Sequence, residues 1–197
     1  LTAEDLAAFK PEWVDPVKIN YRGFDVWEIP PNGQGIVALM ALKILSGFEF
    51  EARETPATYH RQIEAIKLAF ADGLKYITDI RRMKMNVSDL LSDTYAAERR
   101  KLIGHRAAAP LPGTPYRGGT VYLATADGEG NMVSYIQSNY MGFGSGVVVP
   151  GTGIAMHNRG FCFSPDPGHD NCLAPGMKPY HTIIPGFLTK DVESENV

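Results

Sequence analysis

With 197 residues, 44% hydrophobic and 21% charged, the chain has the composition of a soluble globular protein with a sizeable core. Its formal net charge of -3 gives no electrostatic reason to expect a nucleic acid or an anionic membrane as partner. No apolar run approaches the roughly 20 residues that a membrane-spanning helix requires. The sequence begins Leu1-Thr2 without an initiator methionine, so we expect it to start inside a longer gene product. The cytoplasm is the expected compartment unless that product carries a signal peptide.

The first third of the chain alternates between helix and strand signals. Thr2 is a suitable N-cap for a short helix. Residues 21–29 then alternate like a strand, with Phe24 and Val26 facing inward. Residues 36–45 are apolar almost all round, which predicts a helix buried on most sides.

The second third is predicted to hold the longest helix. Thr55 followed by Pro56 is a strong helix start, because proline is well tolerated at the first helical position. Apolar residues three and four positions apart predict the face of this helix that meets the core. The members of this stripe are Tyr59, Ile63, Ile66, Phe70, Leu74 and Ile77. Ser88 or Ser92 could cap a further helical segment over 95–103. Residues 107–116 contain three prolines and no periodicity, which indicates an extended linker.

After the linker, the junction Gly119-Thr120 opens a strand-rich region. Residues 121–126 and 132–138 are strand candidates, and the glycine-bearing loop 127–131 between them predicts a hairpin. Cleavage after Gly119 would free the amine of Thr120 beside the hydroxyl of the same residue. A free α-amine has a pKa of about 8, so it can serve as the base that activates this nucleophile. On these residues alone, an ordinary Gly-Gly-Thr turn entering a strand remains the competing interpretation.

Several short motifs follow one another in a specific order on both sides of this junction. They are Pro30 to Ile36, Glu64 to Asp72, Asp127 to Asn131, Phe143-Gly144-Ser145-Gly146, Pro150 to Ile154 and Pro175 to Pro179. This order resembles the γ-glutamyltransferase family, N-terminal nucleophile hydrolases made as one chain and cut into large and small subunits. The resemblance implies an α+β fold that is a fragment of a four-layer αββα sandwich. Residues 1–119 would be the mainly helical C-terminal part of the large-subunit region, ending in the proline-rich linker. Residues 120–197 would be the strand-rich N-terminal part of the small-subunit region.

The same resemblance assigns roles to individual residues. Cleavage would fall between Gly119 and Thr120, with Thr120 as the nucleophile and the Ser138 hydroxyl orienting it. The implied substrate-binding residues are Asn139, Tyr140, Arg159, His181 and Thr182. No cofactor and no metal are implied. The arginine that grips the substrate and the turn that forms the oxyanion hole are expected outside this sequence, so we expect the chain alone to be uncleaved or inactive.

Departures from the family pattern bear on the substrate. Where classical members hold the substrate's ammonium group with Asn, Gln and Asp, this chain has Tyr140, Arg159 and Cys162. A buried ammonium group without a counter-charge is costly, so tight γ-glutamyl recognition is not expected. His181 and Thr182 can donate hydrogen bonds to a carboxylate, and Arg159 adds a cation; a hydrogen-bonded structural role for His181 stays open. The Tyr-His-Thr sequence at 180–182 is similar to members of the oxamate amidohydrolase type.

The predicted function is therefore an autoprocessing amide hydrolase or acyltransferase whose acyl-enzyme passes to water or to an amine acceptor. The alternatives are a small-amide amidohydrolase without γ-glutamyl specificity and a non-catalytic family member. Expected partners are a small-molecule amide or γ-glutamyl substrate and the remaining large- and small-subunit segments of the same precursor, with no nucleic acid and no membrane.

Two unrelated sites are minor alternatives. The turn Asn32-Gly33-Gln34-Gly35 is glycine-rich like a phosphate-binding loop, but it lacks the lysine and the spacing of a P-loop. A zinc site would need His157, His169, Cys162 and Cys172, whose separations fit no common ligand pattern. Reduced, structural thiols are the simpler expectation for the two cysteines.

Overall fold

The computed structural model describes residues 2–108 and 121–190 of the chain. Helices and strands both occur, which agrees with the predicted α+β class. The helices are α1 Ala3–Ala8, α2 Gly35–Leu45, α3 Pro56–Tyr76, α4 Val87–Leu90 and α5 Asp93–Arg100. The strands are β1 Val17–Tyr21, β2 Phe24–Glu28, β3 Val121–Ala126, β4 Met132–Gln137 and β5 Phe187–Thr189, and a short 3-10 helix covers Arg159–Cys162.

The first sheet contains three antiparallel strands in the order β1-β2-β5. The strand predicted over 21–29 is confirmed for Phe24–Glu28, but Tyr21 belongs to β1 because the chain turns back at Arg22 and Gly23. Both residues have positive φ, 55° and 84°, as a two-residue turn matched to the twist of a hairpin requires. Phe24, predicted to face inward, is 39% exposed. β5 belongs to the region after the predicted cleavage site, so the two predicted regions contribute strands to one sheet.

Helix α2 is buried along most of its length, as predicted, and forms the centre of the core. Ile36, Leu39 and Ile44 are each 2% exposed or less. At its C-terminal end, Arg100 of α5 donates to the carbonyl oxygens of Ile44 at 2.7 Å and Lys43 at 3.2 Å. These bonds satisfy carbonyl groups that the last turn of a helix leaves without partners. Arg100 of α5 therefore caps the C-terminal end of α2.

Helix α3 begins as predicted, with the Thr55 hydroxyl accepting from the Thr58 N–H and Pro56 as first residue. The prediction of its buried face is wrong for four of the six stripe residues. Those four are between 40% and 59% exposed, namely Tyr59, Ile63, Phe70 and Leu74. The face that is buried carries Ala65, Ala69 and Gly73. Small side chains at spacings of four let α2 approach the α3 backbone closely, and that close approach decides which face packs inward.

Gly73 of α3 packs tightly against Val37 of α2, and this contact supports a prediction about stability. A Cβ at position 73 would lie 2.5 Å from Cγ2 of Val37, whose branched side chain has little freedom to move. We expect Gly73→Ala to destabilise the full-length gene product by about 1–3 kcal/mol, although alanine is the better helix former. Thermal melting measures the effect. The loss should shrink when Val37→Ala removes the clashing methyl groups; an equal loss in both backgrounds contradicts this explanation.

The second sheet is the hairpin β3–β4, predicted from the sequence, with Val121 opposite Gln137 and Ala126 opposite Met132. In its loop, the Asp127 carboxylate accepts hydrogen bonds from the N–H groups of Glu129 and Asn131. The Asp-x-x-Gly-Asn motif therefore closes the hairpin. Among the helices of the described ranges, none combines the length and the apolar character needed to cross a membrane.

Candidate functional site

The segment 179–182 lies against the N-terminal end of α2 and forms the first segment of the candidate site. The N–H of His181 donates to the Asn32 carbonyl at 3.0 Å, and the N–H of Gln34 donates to the His181 carbonyl at 2.8 Å. The Gln34 side chain extends this pairing by donating to the Thr182 carbonyl at 2.7 Å. The glycine-rich turn considered for phosphate therefore holds His181 and Thr182 in place.

Arg159 brings a second segment to the candidate site. It starts the 3-10 helix Arg159–Cys162 and is only 2% exposed. Its Nη1 donates to the Thr182 hydroxyl at 3.1 Å, and its guanidinium lies 5.3 Å from the centre of the Tyr140 ring. Three residues predicted to bind substrate, Tyr140, Arg159 and Thr182, are thus in one cluster. Because it is so deeply buried, Arg159 anchors Tyr140 and Thr182 within the described part of the chain.

The residues after β4 form the third segment of the cluster. The Ser138 hydroxyl accepts from the Tyr140 N–H at 3.0 Å, and Tyr140 has a φ of 76°, uncommon for a residue with a side chain. The Asn139 carbonyl accepts from the Asn158 N–H at 3.2 Å. These bonds tie the end of β4 to the segment that carries Arg159. Residues 138–140 therefore link the hairpin to the segment that leads into the 3-10 helix Arg159–Cys162.

The surroundings of both histidines in the cluster, His157 and His181, favour the neutral imidazole over the charged form. Burial, followed by the charges of Arg159 and His157, lowers the pKa of His181 to about 4. Partial burial and the Arg159 charge also lower the pKa of His157 from its usual value. A neutral imidazole donates a hydrogen bond from one ring nitrogen and accepts one at the other, but it adds no positive charge. The positive charge of this cluster therefore comes from Arg159.

Sequence reasoning missed His157 as a neighbour of His181 and considered it only as a zinc ligand. The Nδ1 atoms of His157 and His169 each accept a backbone N–H two residues further on. Both cysteines are free thiols. Within residues 2–108 and 121–190, no three His, Cys, Asp or Glu side chains form a group that could hold a metal ion. The only signal that could have placed His157 here was its separation of two residues from Arg159.

Gly119 and Thr120 lie outside the described residues, so the assignment of the nucleophile stays a prediction. The β3–β4 hairpin shows which residues lie next to this position in the sequence and in the sheet. Val121, the first residue of β3, pairs with Gln137, the last residue of β4. Ser138 is therefore the first residue beyond the paired end of β4, on the side where β3 begins.

Comparison with known proteins places this geometry in a family. The family model described as gamma-glutamyltranspeptidase matches residues 1–197. Among solved structures, the crystal structure of cephalosporin acylase from Bacillus halodurans matches 97% of this chain and 35% of that chain, with a TM-score of 0.89 and 68% identity. The likeness confirms the predicted family and the predicted type of fold.

Two curated proteins extend the comparison. The glutathione hydrolase-like YwrD proenzyme of Bacillus subtilis is 38% identical over 192 residues, which is 96% of this chain and 36% of that protein. The oxamate amidohydrolase proenzyme of Klebsiella pneumoniae is 38% identical over 185 residues, which is 94% of this chain and 35% of that protein. The chain thus spans about a third of the length of these relatives.

Proposed function

The chain belongs to the gamma-glutamyltranspeptidase family, and from that premise we propose that its full-length gene product is an autoprocessing amide hydrolase or acyltransferase. Thr120 is the proposed nucleophile, released by cleavage after Gly119. The remaining segments of the precursor complete the active site. Relatives that are named proenzymes support the cleavage step, since a proenzyme is the precursor of a processed enzyme.

The register of the β3–β4 hairpin is the observation that carries this proposal. The last pair of that register joins Val121 to Gln137. Thr120 precedes Val121 in the sequence, and Ser138 follows Gln137. This closeness of both residues to one terminal pair supports Ser138 as the residue that orients the Thr120 hydroxyl.

The proposed chemistry proceeds in two stages. In processing, Thr120 Oγ attacks the Gly119 carbonyl carbon, the peptide nitrogen leaves as the new α-amine, and water hydrolyses the resulting ester. In turnover, that amine accepts the Oγ proton while Oγ attacks the substrate amide carbonyl. The proton passes to the departing amine, and an acyl-enzyme ester remains. Water or an acceptor amine then takes up the acyl group and regenerates the Thr120 hydroxyl.

For the substrate, we propose a small amide that carries an anionic group. Arg159 supplies a positive charge beside Thr182. By the family pattern, Tyr140 and Cys162 stand where classical members have the Asn and Asp that hold an ammonium group. The name of the oxamate amidohydrolase relative supports a small anionic amide. The name of the cephalosporin acylase neighbour supports a second candidate, the acyl side chain of a cephalosporin.

A substrate panel assayed with the full-length gene product tests the proposed function. The panel contains oxamate, glutathione, a γ-glutamyl anilide and a cephalosporin with an anionic amide side chain, and intact mass is recorded before each assay. We expect two polypeptides with a new N-terminus at Thr120, and faster hydrolysis of an anionic amide than of the γ-glutamyl anilide. A single uncut chain that hydrolyses none of the four compounds would overturn the proposal in favour of a non-catalytic protein.

A further inference from the structure

Asn171 joins three segments of the chain through one buried carboxamide group. Its Nδ2 donates to the Cys162 carbonyl at 2.6 Å, and its Oδ1 accepts from the Tyr180 N–H at 3.1 Å. The same Oδ1 accepts from the Thr78 hydroxyl at 3.0 Å. Asn171 is 5% exposed, Tyr180 is 6% exposed and Thr78 is fully buried. Buried polar groups are normally hydrogen-bonded, so a lost partner at this position would be costly.

Two of these three segments carry the candidate site. Cys162 ends the 3-10 helix that Arg159 begins, and Tyr180 lies two residues before Thr182. Arg159 and Thr182, from the same two segments, are joined directly by a hydrogen bond of 3.1 Å. Asn171 is therefore a second connection between them, and the two connections together determine the position of Arg159 relative to Thr182.

The asparagine side chain provides both the hydrogen-bond donor and the acceptor that this junction requires. It presents one donor and one acceptor at its tip, and the carbonyl of Cys162 requires the donor while the N–H of Tyr180 requires the acceptor. Its own backbone is fixed as well, since the Asn171 N–H donates to His169 Nδ1 and its carbonyl accepts from Ser164. Because both its backbone and its carboxamide are hydrogen-bonded, Asn171 holds the Cys162 and Tyr180 segments at a fixed separation.

We propose that Asn171 is a positioning residue that holds the Arg159 and Thr182 segments at the spacing needed to bind the anionic end of the substrate. The inference rests on the proposed function for the identity of that substrate. Thr78 contacts the same Oδ1 atom but belongs to neither segment. Removing the Thr78 hydroxyl therefore weakens the junction without disconnecting the Arg159 segment from the Thr182 segment, which provides a matched control.

The test compares Asn171→Ala and Asn171→Ser with Thr78→Val in the full-length gene product. The serine variant, whose side chain is too short to reach both segments, covers the case in which the alanine variant fails to fold. The readouts are the Kd of oxalate by calorimetry, KM and kcat for the best anionic amide of the panel, and the melting temperature. We expect both Asn171 variants to raise the oxalate Kd and KM by tenfold or more with kcat within about threefold. Thr78→Val should lower the melting temperature with Kd and KM changed less than twofold.

The outcomes separate this inference from the proposed function. If the unsubstituted protein binds oxalate and the Asn171 variants do not, but no amide is hydrolysed, the proposed function fails and the positioning role stands. A second outcome would overturn the positioning role. If amides are hydrolysed, and Thr78→Val and Asn171→Ala lower the melting temperature equally and raise KM equally, then Asn171 is only structural. Absence of oxalate binding by the unsubstituted protein also overturns the positioning role.

Discussion

Replacing Thr120 with alanine in the full-length gene product should abolish both cleavage of the chain and turnover of every amide substrate. Alanine keeps the backbone but lacks the hydroxyl that attacks the Gly119 carbonyl in processing and the substrate carbonyl in turnover. We expect a single polypeptide by intact mass and a loss of activity of at least three orders of magnitude, comparable to the loss of a nucleophile in other acyl-transfer enzymes.

Thr120→Ser is the matched control because it retains the hydroxyl and loses only a methyl group. It should be cut at the same bond, so that the new chain begins with the substituted serine, and it should keep measurable activity. Ser138→Ala provides a second comparison, since it should slow both reactions without abolishing either. If Thr120→Ala is still cut between positions 119 and 120, another residue supplies the nucleophile and the assignment is wrong.

Replacing Glu28 with glutamine should stabilise the protein above pH 7 and have much less effect near pH 4. Glu28 is 7% exposed at the end of β2, and its Oε2 has no hydrogen-bond partner within residues 2–108 and 121–190. Gly35 and Gly186 enclose the carboxyl group, and a Cβ on Gly186 would lie 2.6 Å from Oε1. Burial raises the pKa of Glu28 from 4.5 to about 7, although the N-terminal end of α2 beside it favours the ionised form.

The direction of this pH dependence follows from proton linkage. Between pH 4.5 and 7 the folded protein binds a proton at Glu28 that the unfolded chain has released, so its free energy of unfolding falls as the pH rises. The glutamine variant has no such proton. The difference in free energy of unfolding between variant and unsubstituted protein should therefore grow by about 3 kcal/mol from about pH 4 to about pH 8. Urea denaturation at a series of pH values measures it.

Asp25→Asn, on the same strand, is the control with the opposite sign. Hydrogen bonds from Lys18 and Asn20 lower the pKa of Asp25, so its ionised form stabilises the fold above its unfolded pKa and that contribution is lost as the pH falls. Asp25→Asn should therefore cost more stability at pH 8 than at pH 3. A difference for Glu28→Gln that stays constant across the pH range would show that the buried carboxyl does not titrate as described.

Features of the fold that depend on neighbouring residues in sequence could be predicted. Thr55 caps α3, Ser92 accepts from the Tyr95 N–H to cap α5, and the loop 127–131 closes the second hairpin. Each depends on contacts within about five residues, which the sequence displays directly. The hairpin turn at Arg22 was missed because an arginine with positive φ carries no strong turn signal.

The buried face of α3 could not be predicted because it depends on a distant partner. Hydrophobicity favoured the stripe that includes Ile63 and Leu74, whereas the close approach of Val37 selected the side with Gly73. The candidate site also has a part that the sequence predicts and a part that it does not. Its residues were suggested by family motifs, but the contact between Arg159 and Thr182 joins residues 23 positions apart. The connecting role of Asn171 required coordinates, since nothing in a lone asparagine identifies its partners.

The pairing of β5 with β2 has a consequence for what happens after the chain is cut. Trp27 lies opposite Phe187 in that pairing, and the Trp27 indole N–H donates to the Thr189 hydroxyl at 2.8 Å. A break after Gly119 would leave these strands on separate polypeptides that still share one sheet. The two products should therefore migrate as two bands after denaturation, yet elute together as one particle under native conditions. Separating them would require opening this sheet, so the two halves would stay together without any covalent link between them.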